Sequence, residues 1–370
     1  MCQNRPLSKK STKMNKEANL IRVGEKSNKS KYEFLRLFYT KWNQIINPRP
    51  RVIIDTHAGT GLVNLNIKRS LTKTNYSKKI YGSPLIAIIK TIKISQNLKI
   101  ILNESDYYNF AQLDRILDKV QNEGLPVFEK IEDDFRYKSL ETGRKRKLKQ
   151  NKKKYIFPEE FNKKLPIGYK KVFIRSKGEI IRHNKKIEDN IQCIIDDHLD
   201  KIDEKSNSKP IALFFVDPCG IVDWKKVIEL ICNRSDKSEG TEMILNWSWD
   251  AINRTLPTKS KNSTLSKIYG IPIEKIDKEF KDILTMKDFL EKYLGQLRMY
   301  FKHVVDVGVP RDRKLKPKQS EHRKYFLILC TNNESGLSLA GYQKKRIGVK
   351  LRDGVGDMNS FIYQNNHSDN

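Results

Sequence analysis

Apolar positions recur along this chain in two rhythms. Residues 31–46 (KYEFLRLFYTKWNQII) carry Phe34, Leu35, Phe38, Tyr39, Trp42 and Ile45 at helical spacing, which predicts an amphipathic helix packed on a sheet. Residues 51–55 (RVIID) then form a short apolar run that ends in an acid and meets Gly59 and Gly61 at once, the pattern of a buried strand entering a glycine turn. Gly82-Ser83-Pro84 offers Ser83 as a helix N-cap with proline at the first helical position, opening a helix through about residue 94. A second buried strand over 99–103 ends at Glu104 and leads into a helix over 109–120 with Phe110, Leu113, Ile116, Leu117 and Val120 inward. Residues 127–134 (VFEKIEDD) read as a third strand ending in Asp133 and Asp134. Farther on, a helix over 187–202 precedes 210–217 (PIALFFVD), the most apolar strand of the chain, which again ends in an acid and a Pro/Gly turn. A helix over 224–232, a strand over 242–247, a long helix over 284–303 and strands over 303–309 and 325–331 complete the series. Apolar strands alternating with helices predict an α/β fold with a mostly parallel, doubly wound sheet. The last two strands, with no long helix between them, predict a terminal antiparallel hairpin.

Composition narrows the class. At 370 residues the chain can bury one large core or two smaller ones, and 38% hydrophobic content is low but compatible with folding. Cys2, Cys193, Cys219, Cys232 and Cys330 form no CxxC pair, and the six histidines are scattered, so no metal and no disulfide framework is expected. No window approaches the ~18 consecutive apolar residues of a membrane span, and residues 1–31 lack the apolar segment of a secretory signal. The expectation is a soluble, cytoplasmic protein with no membrane partner.

The formal net charge of +29 makes a polyanion the default partner, because cations that neutralise phosphates gain affinity by releasing counterions. Its distribution is uneven. Residues 1–31 hold nine Lys/Arg against two Glu, and residues 136–186 hold nineteen against four, together about three-quarters of the excess. The expected organisation is therefore a basic disordered tail (1–30), a domain (31–335) with a basic insertion (136–186), and a partly disordered C-terminal extension (336–370). Tail and insertion are the expected contacts to RNA or DNA; the alternative is a solvated surface that only keeps the protein soluble.

In an open α/β sheet, ligands bind beyond the carboxyl ends of strands where the strand order reverses, so the strand-end acids Asp55, Glu104 and Asp217 are candidates. Residues 55–61 (DTHAGTG) fit the glycine-rich loop of class I S-adenosylmethionine methyltransferases. There glycines let backbone amides reach the methionine carboxylate and ribose, and the acid receives the ammonium group. His57 stands where that loop often has another glycine. Dinucleotide binding needs G-x-G-x-x-G, and residues 59–64 lack the third glycine; a plain tight turn is the other alternative. Glu104 suits a pair of ribose hydroxyls, with Asp106 competing for that role. Asp133 and Asp134 suit the adenine amine, or else are helix caps and solvated acids. At Asp217-Pro218 an apolar strand abruptly presents a carboxylate, and proline stiffens the turn. Amino-methyltransferases place Asp/Asn-Pro-Pro-Tyr/Phe there to hold the target amine, whereas this chain has Cys219 and Gly220 in the last two positions. Cys219 has no base beside it in sequence and reads as a small buried hydrophobe. Trp247 and Trp249 either line a base pocket or pack in the core.

The segments DTHAGTG (55–61), YGSPLIA (81–87), NESDYYNFAQL (103–113) and FFVDPCG (214–220) occur in a recognisable order. With a following Trp, a strand ending near Asn246 and a closing Tyr-Phe-Leu-Ile strand, the chain resembles the three-Cys-motif partner protein family. The first three segments also resemble the bacterial large-subunit ribosomal RNA adenine-N6 methyltransferases. Both resemblances cover roughly residues 31–135 and 205–335 and imply a Rossmann-like class I methyltransferase fold. The second implies S-adenosylmethionine contacts from Asp55, Gly59, Gly61, Ser83 and Glu104, with Asp217 and Pro218 at the methyl-transfer site. The first implies a companion protein bearing a three-cysteine motif. The functional expectation is a methyltransferase acting on a nucleic-acid base amine. The alternative is a catalytically inactive, methyltransferase-like nucleic-acid-binding or scaffold subunit.

Overall fold

Seven strands hydrogen-bond into one central sheet: β1 (Arg51–Asp55), β2 (Leu98–Asn103), β3 (Glu179–His183), β4 (Ile211–Val216), β5 (Thr241–Trp247), β6 (His303–Asp306) and β7 (Phe326–Thr331). The computed structural model describes residues 23–24, 26–46, 49–68, 75–91, 98–123, 125–130, 154–155, 169–174, 179–200, 209–237, 240–306, 325–339 and 341. The order across the sheet is β6-β7-β5-β4-β1-β2-β3. Every pair is parallel except those made by β7, which runs antiparallel to both β5 and β6. The expected fold class therefore holds: Rossmann-like, mostly parallel and doubly wound, with a terminal antiparallel pair. Strand order reverses between β1 and β4, so the ligand crevice of such a sheet lies beyond their carboxyl ends.

Both faces are covered, which is why β1, β4 and β5 are buried along their whole length. On one face α1 (Lys26–Ile46), α2 (Ser83–Thr91) and α3 (Tyr107–Glu123) pack against Ile53, Ile100, Leu102, Leu213 and Phe215. On the other, α4 (Ile187–His198) and a π-helical segment (Trp224–Ile228) that runs into α5 (Glu229–Lys237) pack against Val52, Ile54, Phe214 and Val216. Four further helices, α6 (Trp249–Thr255), α7 (Lys261–Tyr269), α8 (Ile276–Glu279) and α9 (Met286–Arg298), extend that second core around Tyr269, Phe289 and Tyr293. A fully buried Leu or Phe contributes about 1.5–3 kcal/mol. The buried stripe Phe34, Leu35, Phe38, Tyr39 and Trp42 therefore clamps α1 firmly to the sheet.

Several expectations are corrected. The third sheet position belongs to β3, inside the span 136–186, so the end of that basic stretch is an edge strand of the core. Residues Leu125–Lys130 pair instead with Lys154–Tyr155 and Tyr169–Ile174 in a separate three-stranded sheet, while Asp133 and Asp134 lie outside the described residues. The stretch after Gly61 forms an antiparallel hairpin, Leu62–Lys68 with Asn75–Tyr81, joined by Val23–Gly24. Order thus begins before residue 31, and α1 starts at Lys26; residues 1–22 lie outside the described set. At the other end Leu339 is buried in the first core, so the domain runs past 335. Ile45 is exposed and Ile46 takes its place, one turn after Trp42. Among the described residues no helix is long and apolar enough to cross a membrane, and no group of three or more His, Cys, Asp or Glu forms a metal site.

Candidate functional site

Register decides which side chains meet at the carboxyl ends. In β1, β2 and β4 the residues facing α1–α3 are Ile53, then Ile100 and Leu102, then Leu213 and Phe215. Alternation carries Asp55, Glu104 and Asp217 to that same face. Phe215 pairs with Asp55, and Asp55 with Leu102, so the two flanking strands carry Asp217 and Glu104 two residues beyond the level of Asp55. Asp217 and Glu104 both raise the pKa of Asp55, which places each within electrostatic reach of it.

The loop between β1 and the hairpin is held from both sides. Thr56 N–H donates to the Phe215 carbonyl (3.0 Å) and Ala58 N–H to the Asn103 carbonyl (2.9 Å). Asn103 Nδ2 reaches the Thr56 and Lys185 carbonyls, and its Oδ1 accepts from Asn190 of α4. Glu104 accepts Gly59 N–H at Oε2 (2.7 Å) and Asp106 N–H at Oε1 (2.8 Å). It therefore shapes the glycine loop from below, and each of its oxygens keeps a second lone pair for a ligand hydroxyl. Asp106, by contrast, caps α3 by accepting from Asn109 N–H (2.8 Å), which removes it as a competitor for that role.

The two loop glycines differ. Gly59 has φ +63° and nothing within 4 Å of where a Cβ would stand, so it borders open space. Gly61 has φ +75°, and a Cβ there would meet Leu113 Cδ1 at 3.0 Å, so its missing side chain lets α3 approach. Ser83 is not the helix cap. Gly82 accepts the first intrahelical bond, from Ile86 N–H (3.0 Å), and Ser83 lies where its hydroxyl lowers the pKa of Asp55.

Asp55 is fully buried. Its Oδ1 accepts from His57 N–H (3.3 Å), whereas Oδ2 has no partner. Burial pushes its pKa up to about 7; Asp217 and Glu104 add to the rise, and the Ser83 and His57 bonds offset part of it. A buried acceptor without a donor is costly unless something completes it.

Asp217 is met by two residues that sequence reasoning missed. Lys31 Nζ of α1 lies 2.7 Å from Oδ2, and Asn246 Nδ2 of β5 donates to Oδ1 at 2.6 Å. Lys31 is buried and sits over the Tyr32 and Tyr325 rings at 5.1 and 5.9 Å. Burial alone would lower its pKa, but Asp217, with Tyr32 and Tyr325, outweighs that and the ammonium is stabilised. One sequence signal could have found it: Lys31 heads the Phe34-Leu35-Phe38-Tyr39-Trp42 stripe at helical spacing, an unusual place for a cation. From the same stripe the Tyr39 phenol, raised by burial and by Asp55 and Asp217, lies buried under the acids.

Pro218 is buried and borders a small cleft walled by Val222, Asn246, Trp247, Ile252 and Tyr293. Asn246 Oδ1 and Trp247 Nε1 are buried there without partners. Trp247 stacks on Trp249 (6.1 Å) and meets Tyr293 and Phe326 edge-on or tilted, so the aromatic pair is core packing and cavity wall at once. Cys219 is exposed, contrary to the buried-hydrophobe expectation, because the turn after Pro218 leaves the sheet surface.

No protein-family model matches the chain, and no curated protein matches it. Solved structures are similar at low level, among them the following two. One is a Legionella pneumophila strain Philadelphia 1 protein assigned to the family model DUF519, 12% identical, covering 84% of this chain and 90% of that one, with TM-score 0.41. The other is Trm1 from Pyrococcus horikoshii in complex with S-adenosyl-L-methionine, 10% identical, covering 84% of this chain and 58% of that one, with TM-score 0.34.

Proposed function

We propose that this chain is an S-adenosylmethionine-dependent methyltransferase acting on an amine of a nucleic-acid base. One observation carries the reading: three acids converge at the carboxyl ends of β2, β1 and β4, beside an open glycine loop at the strand-order reversal. The donor set fits the cofactor. The orphaned Asp55 Oδ2 suits an ammonium group, the remaining lone pairs of Glu104 suit ribose hydroxyls, and the open space at Gly59 suits close backbone approach. When bound, the cofactor supplies an electrophilic methyl group.

The chain's own contribution is positioning. Lys31 and Asn246 fix the Asp217 carboxylate by one bond to each oxygen, and the lone pairs left over accept a hydrogen of the target amine. That contact orients the amine nitrogen for attack on the methyl group.

The occupied oxygens of Asp217 favour one second reading, a methyltransferase-like subunit that binds nucleic acid without catalysis. One experiment separates the two. Calorimetric titration with S-adenosylmethionine, paired with radiolabelled methyl transfer to total RNA and DNA, is run on wild type and Asp217→Ala. Methylation that is lost in Asp217→Ala by about a hundredfold or more, with cofactor binding kept, supports the enzyme. Cofactor binding without methylation supports the second reading, and no binding at millimolar cofactor ends the enzyme reading. A three-Cys-motif companion is added in a parallel arm, because the sequence resemblance implies one.

A further inference from the structure

Tyr107 and Tyr108 open α3 three and four residues after Glu104, and among the described residues they are the aromatic side chains left exposed, at 68% and 67%. Tyrosines ordinarily hide much of their ring surface. Their rings meet edge to face, with centroids 5.8 Å apart, so the pair offers two faces at a steep angle. The presentation is rigid. Asp106 caps the helix through Asn109 N–H, the Asp106 carbonyl accepts Phe110 N–H (2.9 Å), and Glu104 accepts Asp106 N–H.

The turn that carries these rings is bonded to the turn after β3. Glu104 N–H donates to the His183 carbonyl (3.0 Å), and Asn184 Nδ2 donates to the Glu104 carbonyl (2.8 Å). Lys185 and Lys186 follow Asn184 and are exposed. Of the acids nearby, Asp106 is held in its cap and Glu104 by two amides, while Glu188 and Asp189 stand in the first turn of α4, where the helix dipole favours them. Two cations and two bare aromatic faces therefore share one rim beside the proposed cofactor site. Stacking faces beside phosphate-binding cations are the elements by which proteins hold unpaired nucleotides.

We propose that Tyr107, Tyr108, Lys185 and Lys186 form a rim that holds unpaired nucleotides of a single-stranded nucleic acid next to the carboxyl-end site. This rests on the nucleic-acid part of the function proposed above and names the form of its substrate. The bases stack on the tyrosine rings, and the lysines meet the phosphates. The reaction itself needs no residue of the rim.

The test is fluorescence anisotropy with a labelled 12-nucleotide oligoadenylate on the full chain, with Tyr107→Ala/Tyr108→Ala, Tyr107→Phe/Tyr108→Phe and Lys185→Ser/Lys186→Ser variants. S-adenosylhomocysteine affinity is measured on each by calorimetry. The alanine pair is expected to weaken the oligonucleotide by about tenfold or more, with the phenylalanine pair near wild type. The serine pair is expected to flatten the slope of log affinity against log salt by about 1.4, the share of two phosphate contacts on a single strand. Unchanged affinity in the alanine pair overturns the proposal. So does a duplex of the same length that binds as well and loses as much, or an equal loss of S-adenosylhomocysteine affinity, which would make the rings a cofactor wall. If S-adenosylhomocysteine does not bind wild type while the oligonucleotide still depends on the tyrosines, the methyltransferase reading fails and the rim stands.

Discussion

Asp55 and Glu242 are both buried carboxyls on the same face of the sheet, and burial raises both to about 7, yet they sit at opposite ends of it and are built differently. Glu242, near the amino end of β5, accepts Trp42 Nε1 at 2.7 Å and Thr331 Oγ1 at 2.9 Å, one donor for each oxygen. It also lies tight under Gly336, where a Cβ would come within 2.9 Å of Oε1. Asp55, at the carboxyl end of β1, keeps Oδ2 without a donor beside an open glycine loop. Equal titration shifts therefore mark two different things. One acid is finished by the protein and ties α1, β5 and β7 together; the other keeps an oxygen without a protein donor, which the proposed function gives to a ligand.

The largest expected effect breaks the finished end. Glu242→Ala leaves the Trp42 and Thr331 donors buried without an acceptor, at about 1–3 kcal/mol each. Urea denaturation should show a loss of about 2–5 kcal/mol, with S-adenosylmethionine affinity of the folded fraction unchanged. Asp55→Asn should do the reverse. Calorimetry should show cofactor affinity falling about tenfold to a hundredfold, the size of a hydrogen bond to a charged group, with stability within about 1 kcal/mol of wild type. A large stability loss in Asp55→Asn with intact cofactor binding would show that the two ends have the same structural purpose.

Proton linkage sharpens the comparison at smaller amplitude. Because folding raises both acids, the folded state holds more protons than the unfolded chain between about pH 4 and 7. Their contribution to stability is fully present below the unfolded values and is lost as pH rises through about 7. Glu242→Gln and Asp55→Asn should each flatten that part of a stability-versus-pH curve. Cofactor affinity should run the other way, since an ammonium group prefers the Asp55 carboxylate. It should fall by up to about tenfold per pH unit below 7 in wild type, and Asp55→Asn should abolish that slope while Glu242→Gln keeps it.

How much of this was legible follows from where each residue gets its partners. β1, β2, β4, β5 and β7 could be read to within a residue, because a strand covered on both faces must be apolar throughout. β3 could not: an edge strand reading EIIRH, half-buried and set in a basic stretch, has no such run to show. The helices α6, α7 and α8 were missed because they are short and close over the second core only as a group. At the site, acids at strand ends were visible as punctuation of apolar runs. Their partners were not, since Lys31 and Asp217 are 186 residues apart and their pairing depends on how α1 crosses the sheet. Ser83 reads as the helix cap because local sequence cannot show that Gly82 takes that position.

The smallest expected difference lies within the loop itself. Both Gly59 and Gly61 sit at positive φ, so alanine at either strains the backbone by about 1 kcal/mol. Beyond that shared cost they should diverge as Asp55 and Glu242 do. At Gly61 the added methyl meets Leu113 at 3.0 Å, so Gly61→Ala should lose about 1–3 kcal/mol in a urea melt while cofactor affinity moves less than about threefold. At Gly59 the methyl enters space that no protein atom fills, so stability should fall only by the backbone strain and S-adenosylmethionine affinity should drop more than in Gly61→Ala. Equal affinities in the two variants would mean that the open side of the loop faces solvent rather than a ligand, and the distinction between a finished and an unfinished end would then rest on Asp55 alone.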